Sequence, residues 1–260
     1  MRIGAMDGAL GQPWPDLFQF AAELGFEGVE LGVGADYADT MLWSPEGQRE
    51  LKALAAEAGV QIASVCVHAF WQISFSNPDE QVRTRAGQMA REAAAAAAAV
   101  GAKVLLFPVT SDEGVSPEDG KQRWIEGMKG CGQAAEEQGV IFGLENVGRS
   151  PAKTAAALAE TVDAISSPAV KAYYDPGNAV WGGLDPVPEI KHLGARIAQV
   201  HIKDPGGDLL GQGKADLPAV IAALKEVGYD GWLILETSAT DDPRAAGKHN
   251  LEYLRKLTGV

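Results

Sequence analysis

The feature of this sequence that most constrains its fold is a repeated unit: a helical segment, then a glycine, then a short apolar segment. The glycine stands between the two segments at five places, namely Gly25, Gly59, Gly101, Gly139 and Gly228. Glycine readily adopts the left-handed conformation that closes a helix, so each is expected to open a tight connection into a strand. The repeat therefore predicts a regular alternation of helices and strands.

This alternation predicts eight strands in all, with helices between them. The strands are expected near residues 2–6, 27–32, 61–68, 103–108, 140–146, 170–175, 197–202 and 231–236. The helices are expected near residues 14–24, 45–58, 78–100, 117–138, 151–165, 185–193, 216–227 and 243–257. The best-marked helix has Asn77 as its expected N-cap, Pro78 at its first position and an alanine run at residues 93–99.

Strict alternation of this kind requires parallel strands joined by right-handed crossovers. Eight such units in about 250 residues are typical of a closed (β/α)8 TIM barrel of the α/β class. An open doubly wound sheet is disfavoured because no Gly-x-Gly-x-x-Gly motif follows the first strand. No linker or change in composition divides the chain, so we expect a single domain over residues 1–260.

The balance of charge excludes some classes of partner. The formal net charge is −13, whereas neutralising phosphates requires a basic face, so neither nucleic acid nor an anionic membrane surface is an expected partner. There is no apolar signal segment at the start and no apolar window of membrane-spanning length. The two cysteines, Cys66 and Cys131, are expected to be buried thiols. Together these features predict a soluble, cytoplasmic protein, whose oligomeric state stays open.

Four of the predicted strands end in a side chain that can bind a metal. These are Glu145, Asp175, His201 and Glu236, each separated from the next by one strand-helix unit. In a (β/α)8 barrel the C-terminal ends of the strands form the active site, so the four are expected to converge. Three converging carboxylates repel one another, and a divalent cation removes that repulsion. Oxygen ligands with one imidazole suit Mn²⁺, Mg²⁺, Co²⁺ or Zn²⁺.

The sequence around these four residues resembles that of the sugar phosphate isomerase/epimerase superfamily with the xylose-isomerase-like barrel, in particular its ketose 3-epimerases. The matching segments are LEN at 144–146, YYDPGN at 173–178, HIKD at 201–204 and GYDGWLILE at 228–236. The resemblance implies that Glu145, Asp175, His201 and Glu236 bind one divalent metal ion. It also implies that the two glutamates form the acid/base pair.

This family resemblance implies an isomerase of carbohydrate metabolism. The expected reaction is proton transfer next to a ketose carbonyl through a metal-stabilised enediolate, with 3-epimerisation favoured and aldose–ketose isomerisation left open. The sequence departs from many ketose 3-epimerases at two positions. Asn178 stands where they carry a histidine, and their arginine after the metal histidine is absent. The substrate, a sugar or a sugar phosphate, therefore stays open.

Several further side chains are candidates for contacting the substrate. They are His68, Trp71, Arg149, Asn178 and Lys203. Trp181 is a second indole in a predicted loop at the mouth of the barrel. The glycine-rich segment 206–213, with Lys203 and Lys214, could cradle a phosphate with its backbone N–H groups or could be a solvated loop.

Three other functions compete with an epimerase or isomerase. An abasic-site endonuclease of the same superfamily requires a histidine-rich zinc cluster and a basic face. This chain has four histidines in all and a net charge of −13, so it meets neither requirement. A dehydratase or lyase acting on a keto-sugar or an inosose-type cyclitol would use the same metal, and it is the main alternative. A sugar-binding barrel without catalysis would not need both Glu145 and Glu236.

Overall fold

The computed structural model describes residues 1–238 and 240–260, and within it eight parallel strands close into a barrel in chain order. The strands are β1 (Arg2–Met6), β2 (Gly28–Val33), β3 (Gln61–Val67), β4 (Val104–Pro108), β5 (Ile141–Glu145), β6 (Val170–Tyr174), β7 (Ile197–Ile202) and β8 (Trp232–Leu235). Pairing of β1 with β8, for example Gly4 with Ile234, completes the ring. The predicted (β/α)8 barrel is confirmed.

Helices connect the strands and surround the barrel. They are α1 (Asp7–Leu10), α2 (Trp14–Leu24), α3 (Pro45–Ala58), α4 (Glu80–Val100), α5 (Pro117–Gln138), α6 (Ala155–Ile165), α7 (Pro176–Trp181), α8 (Pro186–Leu193), α9 (Leu217–Glu226) and α10 (Pro243–Thr258). Among the described residues, no helix is both long enough and apolar enough to cross a membrane.

The predicted start of helix α4 was wrong by two residues. Asp79, rather than Asn77, caps the helix, because its carboxylate accepts a hydrogen bond from the backbone N–H of Gln81 at 2.8 Å. The side chain of Asn77 instead donates to Asp112 in the next loop, at 2.9 Å. Asn77 therefore ties two loops together instead of starting the helix.

Two layers of apolar side chains form the core. The larger layer lies between the helices and the outer face of the barrel, and it includes the buried alanines Ala93, Ala94, Ala96 and Ala97 of α4. The alanine run thus allows this helix to pack closely on the strands. A smaller cluster fills the barrel interior, and its members are Met6, Ala63, Cys66, Val104, Leu106, Tyr173, Trp232 and Ile234. The two layers fix the strand ends that carry the polar side chains described below.

Candidate metal centre and active site

Four side chains from neighbouring strands meet at the C-terminal end of the barrel. Glu145 is the last residue of β5, Asp175 follows β6, His201 lies in β7 and Glu236 follows β8. One ligand atom from each lies within 4.8 Å of the others. Asp175 and His201 are fully buried and Glu145 nearly so, whereas the Glu236 side chain is one quarter exposed, at 25%. The predicted convergence of the four is confirmed.

The imidazole of His201 lies between the two glutamates of this cluster. Its Nδ1 atom is 3.2 Å from Oε1 of Glu145 and 3.2 Å from Oε2 of Glu236. Burial by itself would lower the pKa of His201, but the charges of Glu236 and Glu30 outweigh burial and raise that pKa well above its usual value. Nδ1 of His201 is therefore equidistant from carboxylates contributed by β5 and by the segment after β8.

Asp175 uses its two carboxylate oxygens differently. Oδ1 accepts the backbone N–H of Asn178 at 3.0 Å and thereby caps helix α7. Oδ2 is buried and accepts no well-formed hydrogen bond from the described residues, although the ammonium of Lys203 lies 2.6 Å away. A buried carboxylate is costly without a counter-charge, and the ammonium of Lys203 supplies one here.

Lys203 places its ammonium between two acids of the cluster. Its Nζ lies 2.6 Å from Asp175 and 2.7 Å from Glu236. Burial would lower the pKa of Lys203, but Asp175 and Glu236 outweigh burial and raise it. Gly177 leaves the space for this arrangement, because a Cβ at that position would collide with the aliphatic stem of Lys203. The lysine partly neutralises an otherwise strongly acidic cluster.

The pKa values of the two glutamates are shifted in opposite directions. Burial raises the pKa of Glu145 to about 7, and hydrogen bonding to His201 offsets only part of that rise. Burial also acts to raise the pKa of Glu236, but the charges of His201 and Lys203 are stronger and leave it well below its usual value. Without an added cation, the cluster therefore tends to retain a proton on Glu145.

Glu30 supports the cluster from across the barrel and was missed by the sequence analysis. This fully buried carboxylate in β2 lies 2.7 Å from Nε2 of His201. Its second oxygen accepts hydrogen bonds from Ser64 at 2.6 Å and Tyr173 at 2.8 Å. Gln199 donates to both of these hydroxyl groups. A carboxylate on one ring nitrogen leaves the other free to act as a ligand, a common arrangement around metal-binding histidines.

The signal for Glu30 was present in the sequence. An ionisable residue lies between Val29 and Leu31 in a strand that is buried on both faces. Such a charge is costly unless it has a partner, so it indicates a functional contact.

The cluster fits a divalent cation on the evidence of its own atoms. Three carboxylates and one imidazole face a common point, and the buried Oδ2 atom of Asp175 lacks a well-formed hydrogen bond. Like charges at this distance destabilise one another unless a cation offsets them. The set of oxygen and imidazole donors could hold a metal ion of the Mn²⁺, Mg²⁺, Co²⁺ or Zn²⁺ type.

A family model described as "Xylose isomerase-like TIM barrel" matches residues 18–257, nearly the whole chain. The chain belongs to this family. The predicted resemblance is thereby confirmed.

The relatives of this xylose isomerase-like barrel are sugar epimerases. L-ribulose-5-phosphate 3-epimerase UlaE of Escherichia coli (strain K12) is 26% identical over 257 residues, covering 94% of this chain and 90% of the relative. Among solved structures, D-psicose 3-epimerase in the presence of D-fructose superposes with a TM-score of 0.87 at 16% identity over the full length of both chains. L-ribulose 3-epimerase gives a TM-score of 0.87 at 21% identity, covering 99% and 94% of the two chains. At these identities, the structural comparisons establish the fold.

An inner chamber of about 110 Å³ opens directly on the two glutamates of this xylose isomerase-like barrel. Of the predicted substrate contacts, His68, Trp71, Asn178 and Lys203 line it. Asn178 also donates to Glu145 at 3.4 Å. Trp71 is 42% exposed, so part of its surface is accessible to a ligand.

Arg149 does not line this inner chamber. Its guanidinium lies over the indole of Trp71, with its central carbon 5.8 Å from the ring centroid. Arg149 is exposed and lies beside a residue of the chamber wall without lining the chamber itself.

An outer chamber of about 410 Å³ extends from Glu236 along the loops after β7 and β8. Lys203 and Glu236 line both chambers, so the two adjoin at the cluster. The remaining wall consists of Trp181, Asp204, Pro205, Gly206, Gly207, Asp208, Thr237, Ser238, Thr240 and Asp241. The indole of Trp181 is 79% exposed at its rim.

The glycine-rich loop after β7 folds around a carboxylate of its own. The buried side chain of Asp204 accepts the backbone N–H groups of Gly211, Gly213 and Ala215, each at 2.9 Å. Gly213 is required there because a Cβ would collide with the Asp204 carboxylate. Gly206, Gly211 and Lys214 are exposed, which fits the solvated loop, whereas Asp204 already occupies N–H groups that a phosphate cradle would use.

Proposed function

We propose that this xylose isomerase-like barrel is a metal-dependent epimerase or isomerase of sugars or sugar phosphates. The proposed reaction moves a proton on the carbon next to a ketose carbonyl, and 3-epimerisation is its favoured form. Glu145, Asp175, His201 and Glu236 are the proposed metal ligands. Glu145 and Glu236 are the proposed catalytic pair.

One observation carries this proposal more than any other. Glu145 and Glu236 come from β5 and β8, both lie against Nδ1 of His201, and both line the inner chamber. A ketose in that chamber would therefore meet one carboxylate from each strand. Inverting a stereocentre requires one group to remove a proton and a second group to return one on the opposite face.

The protein's own residues supply the remaining requirements. A divalent cation held by the four ligands would supply Lewis-acid stabilisation of the negative charge that develops on the carbonyl oxygen. Asn178, as both donor and acceptor, would orient a sugar hydroxyl beside Glu145, to which it already donates. His68 and Trp71 would wall the inner chamber, and the apolar indole would limit the access of water to the reacting carbon.

The test is proton exchange in D₂O, followed by NMR at C3 of L-ribulose and its 3-epimer in the presence of Mn²⁺. Glu145→Gln and Glu236→Gln should each reduce net epimerisation by at least the roughly 10²- to 10⁴-fold that general acid–base catalysis contributes. Each variant should still exchange the proton of the epimer whose C–H faces its surviving glutamate. Glu57→Gln, on the exposed face of α3, is the matched control.

Near-parent turnover in both variants, with metal content unchanged, would show that the two carboxylates are not the acid/base pair. Loss of water from a keto-sugar or inosose, with no epimer formed, would instead identify the dehydratase alternative.

A further inference from the structure

We infer that the outer chamber accepts the distal end of an uncharged ketose and discriminates against a phosphorylated one. This inference rests on the proposed function and specifies its substrate class. It differs from the substrate named for UlaE, which is a 5-phosphate.

The first argument concerns the loop after β7. In TIM barrels the loops after strands seven and eight, with their backbone N–H groups, are the usual place for a phosphate site. Here three such groups, from Gly211, Gly213 and Ala215, donate to the buried carboxylate of Asp204. These three N–H groups are therefore not available to a phosphate.

The second argument concerns the charge of the chamber. Four carboxylates line it, from Asp204, Asp208, Glu236 and Asp241, against the single ammonium of Lys203 among the described lining residues. That ammonium is already held by Asp175 and Glu236. A phosphate dianion entering this space would meet the like charges of Asp208 and Asp241, which are not among the proposed metal ligands.

The third argument concerns what the wall offers instead. The hydroxyl groups of Thr237, Ser238 and Thr240 and the exposed carboxylates of Asp208 and Asp241 can hydrogen-bond sugar hydroxyls. The exposed indole of Trp181 adds an apolar surface for the C–H face of a carbohydrate. The chamber therefore matches a polyhydroxy chain whose carbonyl end lies at the acidic cluster.

Two cations near the mouth are the alternative sites for a phosphate. Arg149 lies over Trp71, outside the inner chamber, and Lys214 is exposed on the loop after β7. Neither lines the outer chamber. The experiment includes both.

The experiment compares kcat/KM for L-ribulose and L-ribulose 5-phosphate, measured as deuterium incorporation at C3 with Mn²⁺-loaded protein. The parent should favour the free sugar by about tenfold or more, and Asp208→Asn/Asp241→Asn should narrow that ratio by roughly 2- to 5-fold for each charge removed. Asp230→Asn removes the same charge at the opposite end of the barrel, and it should leave the ratio unchanged.

The inference is overturned if the parent prefers the phosphorylated sugar. It is also overturned if the double variant keeps the parent's preference for the free sugar. Either result leaves the proposed function intact. If neither compound exchanges, the proposed function fails for this pair of ketoses. Titration of the parent with inorganic phosphate then tests the inference without turnover. If phosphate does not bind at millimolar concentration, the inference is supported. If phosphate binds and either Arg149→Met or Lys214→Met weakens that binding, the inference is overturned.

Discussion

Oε1 of Glu30 lies 2.7 Å from Nε2 of His201, so that Nδ1 is the ring nitrogen turned toward Glu145 and Glu236. Which nitrogen of a histidine is free to bind a metal is decided by the hydrogen bond that the other nitrogen makes. Glu30 therefore determines how His201 is presented to the candidate metal centre.

Replacing Glu30 should weaken the metal site without removing a ligand. Glu30→Gln keeps the size of the side chain but removes the charge that orients His201 and disturbs the acceptor for Ser64 and Tyr173. We expect Mn²⁺ binding, measured by calorimetry on chelator-stripped protein, to weaken by roughly 10- to 100-fold. Glu57→Gln is the control, and equal affinities in both variants and the parent would contradict the positioning role.

Lys203 should stabilise the protein mainly when no metal is bound. Lys203→Met removes the ammonium between Asp175 and Glu236, leaving two neighbouring acids without a counter-charge. In EDTA we expect a loss of roughly 1 to 3 kcal/mol in the free energy of unfolding, allowing for partial exposure of the lysine. Urea denaturation with EDTA and with Mn²⁺ measures it, with Lys52→Met on α3 as the control.

The loss in the lysine variant should shrink when Mn²⁺ is present, since a cation then offsets the same carboxylates. A loss of equal size in both conditions would mean that Lys203 acts independently of the metal centre.

Chelation should lower the melting temperature of the parent. A ligand that binds the folded state alone stabilises it by about 2.7 kcal/mol at a concentration 100 times its Kd. For a chain of this size that corresponds to a shift on the order of 5 to 10 °C. Scanning calorimetry with EDTA and with Mn²⁺ measures the shift. Asp175→Ala, which removes a fully buried proposed ligand, should abolish it, and a parent indifferent to Mn²⁺ would argue against the site.

Metal affinity should rise with pH. Burial raises the pKa of Glu145 to about 7, so below that pH the metal-free protein holds a proton on this side chain. Both a carboxylate and an imidazole must lose a proton to bind a metal, so each unit of acidification below pH 7 should weaken Mn²⁺ binding by at least about tenfold. Calorimetric titrations at pH 6, 7 and 8 measure the slope, and Glu145→Gln should reduce it. If the Mn²⁺ affinity does not change between pH 6 and pH 8, Glu145 is not a metal ligand with a raised pKa.

The strands and the four converging residues could be predicted from the sequence for one physical reason. Glycines such as Gly139 mark the helix ends, and a short buried strand carries an acid at one end only when something there requires it. Once the alternation indicates a barrel, the positions of Glu145 and Glu236 follow from the geometry of parallel strands. No knowledge of side-chain contacts is needed for that step.

The supporting contacts could not be predicted in the same way, because they depend on strand register and on side-chain packing. Glu30 and His201 are separated by 171 residues, and their contact arises only when the barrel closes. The glycine-rich loop shows the same limit. Its composition permits N–H groups to bind an anion, but only the folded loop shows that the anion is Asp204.

The contact between Glu30 and His201 also has a consequence for how the site is assembled. All four converging side chains belong to the second half of the chain, from β5 to β8, whereas Glu30 and Ser64 belong to the first half. Hydrogen bonds from His201 to Glu30 and from Gln199 to Ser64 cross the interior of the barrel and join the two halves. A half-barrel fragment would thus contain every candidate ligand and still lack the group that orients its imidazole. Full metal affinity would therefore report ring closure, and a mixture of separate halves would regain that affinity only on docking.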